Sequence, residues 1–269
     1  KWGLDSAVIG RVTDDGKLRV LEDGELAAEV DAKVLADDAP VYDREATKPT
    51  YFEHVTDLEL DDLSSPRDFD SLLRGLVASP NLASRDWIWH QYDFMVQDNT
   101  VVEPGGDAAV LRLKGTDRGV AVTTDGNGRY TYLNPYRGGA IAVAEAARNV
   151  VCTGAEPLAI TNCLNFGNPE RPETFWRLRE AVRGMGEACR ELNTPVTGGN
   201  VSFYNETDGR AVFPTPVVGM VGVLESLDHA TTIGWKEPGA VVCLIGSALE
   251  ELGGSEYLKV VHGRIAGEP

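Results

Sequence analysis

No run of eighteen apolar residues occurs in this chain, so no segment is long and apolar enough to cross a membrane as a helix. Histidine is scarce: His54, His90, His229 and His262 form no His-x-x-x-His pair. Each reads as a surface or core histidine, not a metal ligand. The four cysteines, Cys152, Cys163, Cys189 and Cys243, never lie closer than eleven residues. That spacing excludes a zinc ribbon, and the density is too low for a disulfide framework. Reduced thiols and a cytoplasmic location are expected. There is no Gly-x-x-x-x-Gly-Lys-Ser/Thr run and no Gly-x-Ser-x-Gly run, which excludes a P-loop and a nucleophile elbow. Positive charge is also short, with 25 Lys and Arg against 42 Asp and Glu and a net charge of −17. Residues 1–70 hold 19 acids and 8 bases. This opposes a general nucleic-acid footprint. An acidic protein that binds a nucleotide must hold it with metal ions and backbone N–H groups.

No basic, apolar and small-residue series opens the chain, and no signal peptide is expected. It begins at Lys1-Trp2-Gly3-Leu4 without an initiator Met and ends at Arg264–Pro269 without a closing element. We expect a chain cut at both ends. Its 269 residues, 42% of them apolar, suffice for one large domain or two ordinary ones.

Ala7–Val12, Leu18–Leu21 and Leu26–Val30 are short β-like runs, broken at Asp14-Asp15-Gly16 and Glu22-Asp23-Gly24. Asp-Gly between such runs is a hairpin signal. The acidic stretch 36–66, punctuated by Pro40, Pro49 and Pro66, is expected to hold a domain boundary. Apolar spacing predicts a helix over Asp68–Ala78. The aromatic run from Trp87 to Asp93 fits core or interface packing better than a base-stacking platform.

From residue 105 the rhythm is β and α. Ala108–Leu113, Gly119–Thr123, Leu158–Asn162, Pro195–Thr197 and Val217–Val223 read as strands, and Gly138–Val151 as an Ala-rich helix. Thr174–Leu192 is the clearest helix. Its stripe of Phe175, Leu178, Val182, Met185, Cys189 and Leu192 is expected to face the core, with Thr174 as N-cap. Ala240–Ile245 is expected to be the first strand of a new domain.

Four polar, glycine-punctuated segments fall at strand ends, where ligands of α/β folds usually sit. They are Gly105-Gly106-Asp107, Thr123–Gly128, Thr161–Pro169 and Thr197–Ser202. Gly198-Gly199 lets backbone approach a ligand with no Cβ between them. Asn200 offers a neutral carbonyl oxygen suited to Mg²⁺. Ser202, two residues on, points to the same side of an extended chain. A Gly-Gly-Asn run is more often only a tight turn. Asp107 and Asp125 hold a metal if their strands are adjacent, but Asp at such positions commonly just caps a turn.

The ordered series Gly105-Gly106-Asp107-Ala108-Ala109-Val110, Thr123-Thr124-Asp125, Asn134–Glu145 and Thr153-Gly154-Ala155-Glu156-Pro157 resembles the aminoimidazole ribonucleotide synthetase superfamily. Members use ATP without a P-loop. Within it, Thr161–Glu170, Phe175-Trp176 and Thr197–Glu206 resemble phosphoribosylformylglycinamidine synthase. The resemblance implies an α/β (α+β) fold: a synthetase-like N-terminal domain with a mixed sheet and flanking helices, and partial C-terminal α/β domains at both ends. Residues 1–45 would be the end of the first half's C-terminal domain. Residues 46–230 would be the second half's N-terminal domain, and 236–269 the start of the last domain. It also implies sheets that pair between halves.

The implied reaction uses ATP to join glutamine-derived ammonia to formylglycinamide ribonucleotide, with a glutaminase subunit or domain and its accessory subunit as partners. No nucleic acid or membrane partner is implied. By the same resemblance Asn162 and Gly199 contact ATP, Asn200 coordinates Mg²⁺ and Ser202 contacts the substrate. Asp107 and Asp125 would face an auxiliary nucleotide site. The catalytic histidine belongs to the first half, so no catalytic residue is expected here, and this chain alone is expected to be inactive. Two alternatives stay open. One is a non-catalytic half that holds a structural nucleotide and docks the glutaminase. The other is a different ATP-using member of the superfamily, such as a kinase.

Overall fold

The computed structural model describes residues 3–247, 249 and 251–269; the Lys1-Trp2 opening lies outside them. The chain divides into two units, Lys1–Asp43 and Arg44–Pro269.

The first unit is a hairpin of β1 (Lys17–Glu22) and β2 (Glu25–Asp31), followed by one helical turn, α1 (Ala32–Leu35). Asp23 and Gly24, at φ 51° and 85°, make the two-residue turn that Asp-Gly favours. Ala7–Val12, expected to be a strand, is not one. No strand pairs with it among the described residues, and Ile9 and Val12 are fully exposed. An apolar run without a ladder partner leaves its backbone to water.

The second unit opens with three short or modest helices, α2 (Phe52–Val55), α3 (Phe69–Val77) and α4 (Asp86–Trp89). Asp68 caps α3 by accepting from the N–H groups of Asp70 and Ser71, as the 68–78 periodicity anticipates. Trp89 packs over Gly105 and edge-on to Phe94, whereas Trp87 and Tyr92 stay exposed. Six strands form the central sheet: β3 (Thr100–Val102), β4 (Ala109–Arg112), β5 (Gly119–Asp125), β6 (Glu156–Asn165), β7 (Val196–Ser202) and β10 (Thr215–Leu224). A small hairpin, β8 (Glu206–Thr207) and β9 (Arg210–Ala211), precedes the last of them. The sheet order is β3-β4-β5-β10-β6-β7. Every neighbouring pair is antiparallel except β6 and β7, which are parallel. The sheet is therefore mixed.

The remaining helices are α5 (Gly128–Leu133), α6 (Pro135–Cys152), α7 (Pro172–Glu191) and α8 (Glu256–His262). Sequence periodicity finds α6 and α7 but not α5 and α8, which are too short to show a stripe. Helix α6 starts at an Asn134 cap with Pro135 at its first turn, the position that spares proline's missing N–H. It lies on the sheet, and its Ala142, Val143, Ala146 and Val150 are buried with Val110, Ile160, Val218 and Met220. Burying one such Val or Ile contributes about 1.5–3 kcal/mol.

Helix α7 begins at Pro172, with Arg171 rather than Thr174 at the N-cap position, because proline takes its first turn. Its buried face also differs from the expected stripe. Val182 and Leu192 are exposed, and Ala181, Gly184, Met185 and Cys189 are buried. Small residues decide this. A Cβ on Gly139 would overlap the Ala181 carbonyl, and one on Gly184 would overlap the Tyr136 carbonyl. The two backbones meet along that line, and the larger side chains fall to either side.

Residues 240–245 form no strand, and Val241, Leu244 and Ile245 are exposed. The end of the chain instead packs on α5 and α6. Arg129 and Glu256 form an ion pair at 2.5 Å whose side chains are only 11% and 8% exposed, and Asn134 donates to Glu268 at 2.6 Å.

Candidate functional site

The Thr197–Ser202 segment is not a turn. It is the extended edge strand β7, and its parallel register sets Asn162 beside Gly199, Cys163 beside Asn200 and Asn165 beside Ser202. Side chains alternate along both strands. Asn162 and Gly199 therefore share the face on which Ile160 and Leu164 are buried, and Asn200 and Ser202 share the opposite face. An added Cβ on Gly199 would overlap the Asn162 side chain and come within 2.5 Å of its carbonyl oxygen. Gly199 thus makes room for Asn162. Gly198 is the glycine with open space in front of it.

Asn200 is exposed. Its Nδ2 points to Cys163 Sγ at 3.8 Å, and among the described residues its Oδ1 has no partner. Ser202 Oγ bonds to Asn205 Oδ1 at 3.2 Å, and Asn205 Nδ2 donates to the Phe166 and Ser202 carbonyls. A free amide oxygen on an exposed strand is a donor type that Mg²⁺ accepts. One oxygen does not make a complete cation site, so further ligands must come from a nucleotide or from other chain segments.

A second cluster lies at the end of β5. Asp125 Oδ1 accepts from Asn149 Nδ2 at 2.8 Å, and Oδ2 accepts from Thr123 Oγ1 at 3.0 Å. Burial pushes the Asp125 carboxyl up, against those two hydrogen bonds. Burial also raises Glu145, Asp125 raises it further, and Arg148 opposes both. Glu145 and Asn149 were not singled out in the sequence. Their signal was available: they lie four residues apart and so share one face of α6. Two half-buried carboxylates thus lie near one another with an amide beside them, and both Asp125 oxygens already accept hydrogen bonds. No trio of His, Cys, Asp or Glu converges among the described residues.

Gly126 and Gly128 in the same segment serve packing. Added Cβ atoms would come within 2.6 Å of the Pro216 carbonyl and 2.7 Å of Thr215 Oγ1. Asn127 caps α5, accepting from Arg129 N at 3.0 Å. Beside them opens a cavity of about 600 Å³, bordered by Arg85, Gly126–Tyr130, Glu145 and Glu256. That volume suits a small-molecule ligand.

Asp107 is half-buried just before β4. The β4–β5 register pairs Ala109 with Val122, and continued two residues it brings Asp107 level with Thr124. Asp107 and Asp125 thus lie at the same end of adjacent strands. Asp107 lines its own cavity of about 550 Å³ with Trp89, Thr123 and Thr124. His90 stands against Trp89 at 3.8 Å between ring centroids; His54 is exposed.

The Asp125 geometry yields a prediction. Asp125→Asn removes a carboxylate whose folded-state titration lies above the unfolded one. An ionised Asp125 therefore costs stability above its folded pKa, and that cost vanishes as pH falls below the unfolded value near 3.8. Thermal unfolding should show the variant more stable at pH 8, by less than about 1 kcal/mol because solvent screens a half-exposed site. The gain should disappear near pH 3. A lower unfolding midpoint at pH 8 would mean that the carboxylate stabilises the fold.

Residues 105–224 match the family described as AIR synthase related protein, N-terminal domain. The phosphoribosylformylglycinamidine synthase subunit PurL of Moorella thermoacetica is 57% identical over all 269 residues, which span 37% of that protein. That of Alkaliphilus metalliredigens is 51% identical over the same residues, 36% of its length. The structure of PurLQS from Thermotoga maritima superposes with a TM-score of 0.61 at 32% identity, over 79% of this chain and 32% of that one. Structures of T. maritima PurL complexed with ATP and with FGAR each give a TM-score of 0.58 at 32% identity. Each covers 78% of this chain, and 32% and 31% of theirs respectively. The chain spans little more than a third of the curated relatives it matches. It is homologous along its whole length to that part of the PurL subunits of phosphoribosylformylglycinamidine synthase, and residues 105–224 are an AIR synthase related N-terminal domain.

Proposed function

We propose that this chain supplies one half of the ATP site of a phosphoribosylformylglycinamidine synthase. The observation that carries the reading is the β6–β7 register, which stacks Asn162 on Gly199 and Cys163 on Asn200 at an exposed sheet edge. Homologous PurL has been solved complexed with ATP and with FGAR. The reaction is ATP-dependent conversion of formylglycinamide ribonucleotide and ammonia to the amidine. The amide oxygen takes the γ-phosphoryl group, ammonia adds at the amide carbon, and phosphate leaves with that oxygen. In this reading Asn162 and the Gly199 backbone contact ATP, Asn200 Oδ1 holds Mg²⁺, and Ser202 meets the substrate. Bound Mg²⁺ would neutralise phosphate charge; the residues here orient nucleotide and substrate along the sheet edge.

Helices α6 and α7 pack on one face of the sheet. On the other, Val122 and Val221 are 37% exposed. A counterpart sheet packed on that apolar face, contributing the catalytic histidine, fits this surface and the halves implied by the motifs. On this reading residues 46–230 are the second half's N-terminal domain. Residues 1–45 and 236–269 belong to the flanking C-terminal domains, and the chain alone makes no amidine. The assembly works in the cytoplasm with a glutaminase subunit that supplies ammonia.

A second reading, a structural nucleotide held at an auxiliary site, is favoured by the Asp125, Glu145 and Asn149 cluster and its adjoining cavity. Calorimetric titration of the 269-residue chain with Mg²⁺-ATP and Mg²⁺-ADP separates the two. Saturable binding that Asp125→Ala weakens and Asn200→Ala does not would place an auxiliary nucleotide site wholly in this half. Absence of binding would mean that each nucleotide site here needs the other half.

A further inference from the structure

We infer that Cys163 is a positioning residue for Asn200, its sulfur holding the side-chain amide so that Oδ1 faces outward. This rests on the reading of Asn200 as the Mg²⁺ ligand. Cys163 and Asn200 are register partners on the face of the sheet away from the helices. Two amide nitrogens converge on the one sulfur, Asn165 Nδ2 at 3.6 Å and Asn200 Nδ2 at 3.8 Å. Asn165 is itself fixed, because its Nδ2 also donates to the Thr215 and Cys163 carbonyls at 3.2 Å each. The sulfur thus stands between a pinned amide and a free-standing one.

An amide presents oxygen on one side and N–H on the other, and only the oxygen binds a cation. A thiol sulfur is a weak acceptor and its S–H a weak donor; with two amide nitrogens facing it, the Cys163 sulfur is the acceptor here. The contact therefore selects the amide orientation in which Oδ1 points to solvent. Without an acceptor there, rotation by 180° turns N–H outward at little cost. Groups that orient a metal's ligands in this way typically alter metal affinity by about 10–100-fold. A sulfur at this distance is a weak acceptor, so about 10-fold is expected.

The test uses the full-length subunit, titrated calorimetrically with Mn²⁺ in the presence of the non-hydrolysable analogue AMPPCP. The binding step to follow is the one that Asn200→Ala removes. Cys163→Val, which keeps the volume and deletes the acceptor, should weaken that step about 10-fold. Cys163→Ser, which restores an acceptor, should stay within about threefold of wild type. In an Asn200→Asp background Cys163→Val should change nothing further, because either carboxylate oxygen serves. Thermal unfolding midpoints of the variants are compared, and if Cys163→Val fails to fold, Cys163→Ala takes its place. Wild-type Mn²⁺ binding by Cys163→Val would overturn the positioning role and leave the Asn200 reading intact. An equal loss in the Asn200→Asp background would assign the effect to packing and overturn it as well. Unchanged binding in Asn200→Ala would sink the ligand reading, and this inference with it.

Discussion

Replacing Asn200 by Ala in the full-length subunit is expected to lower amidine-forming turnover by about 100-fold or more, equivalent to about 2.7 kcal/mol of barrier. The side chain makes one weak contact, to Cys163, and its position is exposed on an edge strand. Truncation therefore removes little that the fold depends on. Unfolding temperature should hold while turnover falls, and raising Mg²⁺ should recover part of the loss. Steady-state assays with ammonia as nitrogen donor check this without the glutaminase. Wild-type turnover in the variant would remove Asn200 from the site.

The largest effect on stability is expected at Gly184. Exchanging a helix-interior glycine for Ala ordinarily stabilises by about 0.5–1 kcal/mol. At Gly184 the sign should reverse, because the new methyl would overlap the Tyr136 backbone carbonyl and lie 2.7 Å from its carbon. Backbone cannot rotate aside as a side chain can, so α6 and α7 must separate. The expected cost is about 3 kcal/mol, at the upper end for an overpacked core, or roughly 10 °C in a domain of this size. Gly186 on the same helix is the control. Its added Cβ would meet only the flexible Arg190 guanidinium, at 3.6 Å. Gly186→Ala should therefore stabilise by the ordinary increment. Equal shifts of the same sign in the two variants would show that the helix crossing is not set by these backbones.

Local pattern carried a good part of the fold. The Asp23-Gly24 hairpin, the Asp68 cap and the 3.6-residue rhythm of 174–192 each follow from residues within a few positions of one another. Where the reading failed, the deciding partner was distant. Ala7–Val12 and Ala240–Ile245 have strand composition but, among the described residues, no strand beside them, and composition does not supply a ladder. The face of α7 was displaced because Ala181 and Gly184 meet α6 at its backbone. Hydrophobic periodicity weighs large side chains and is blind to that kind of contact.

The candidate site divides along the same line. The sequence by itself determined the chemical inventory: the two glycines, the neutral oxygens of Asn162 and Asn200, and the carboxylates of Asp107 and Asp125. That Asn200 and Ser202 share a side follows only once the segment is extended; the sequence left a tight turn open there, and the pairing of β7 with β6 made it a strand. Only the tertiary structure decided that Gly199 accommodates Asn162, that Cys163 faces Asn200, and that Glu145 and Asn149 join Asp125. The β6–β7 register and the seating of α6 on the sheet bring these residues together across 20 to 40 positions of chain. Those pairings are settled by which backbones can approach and which side chains can be buried together, and no short stretch of sequence contains both partners.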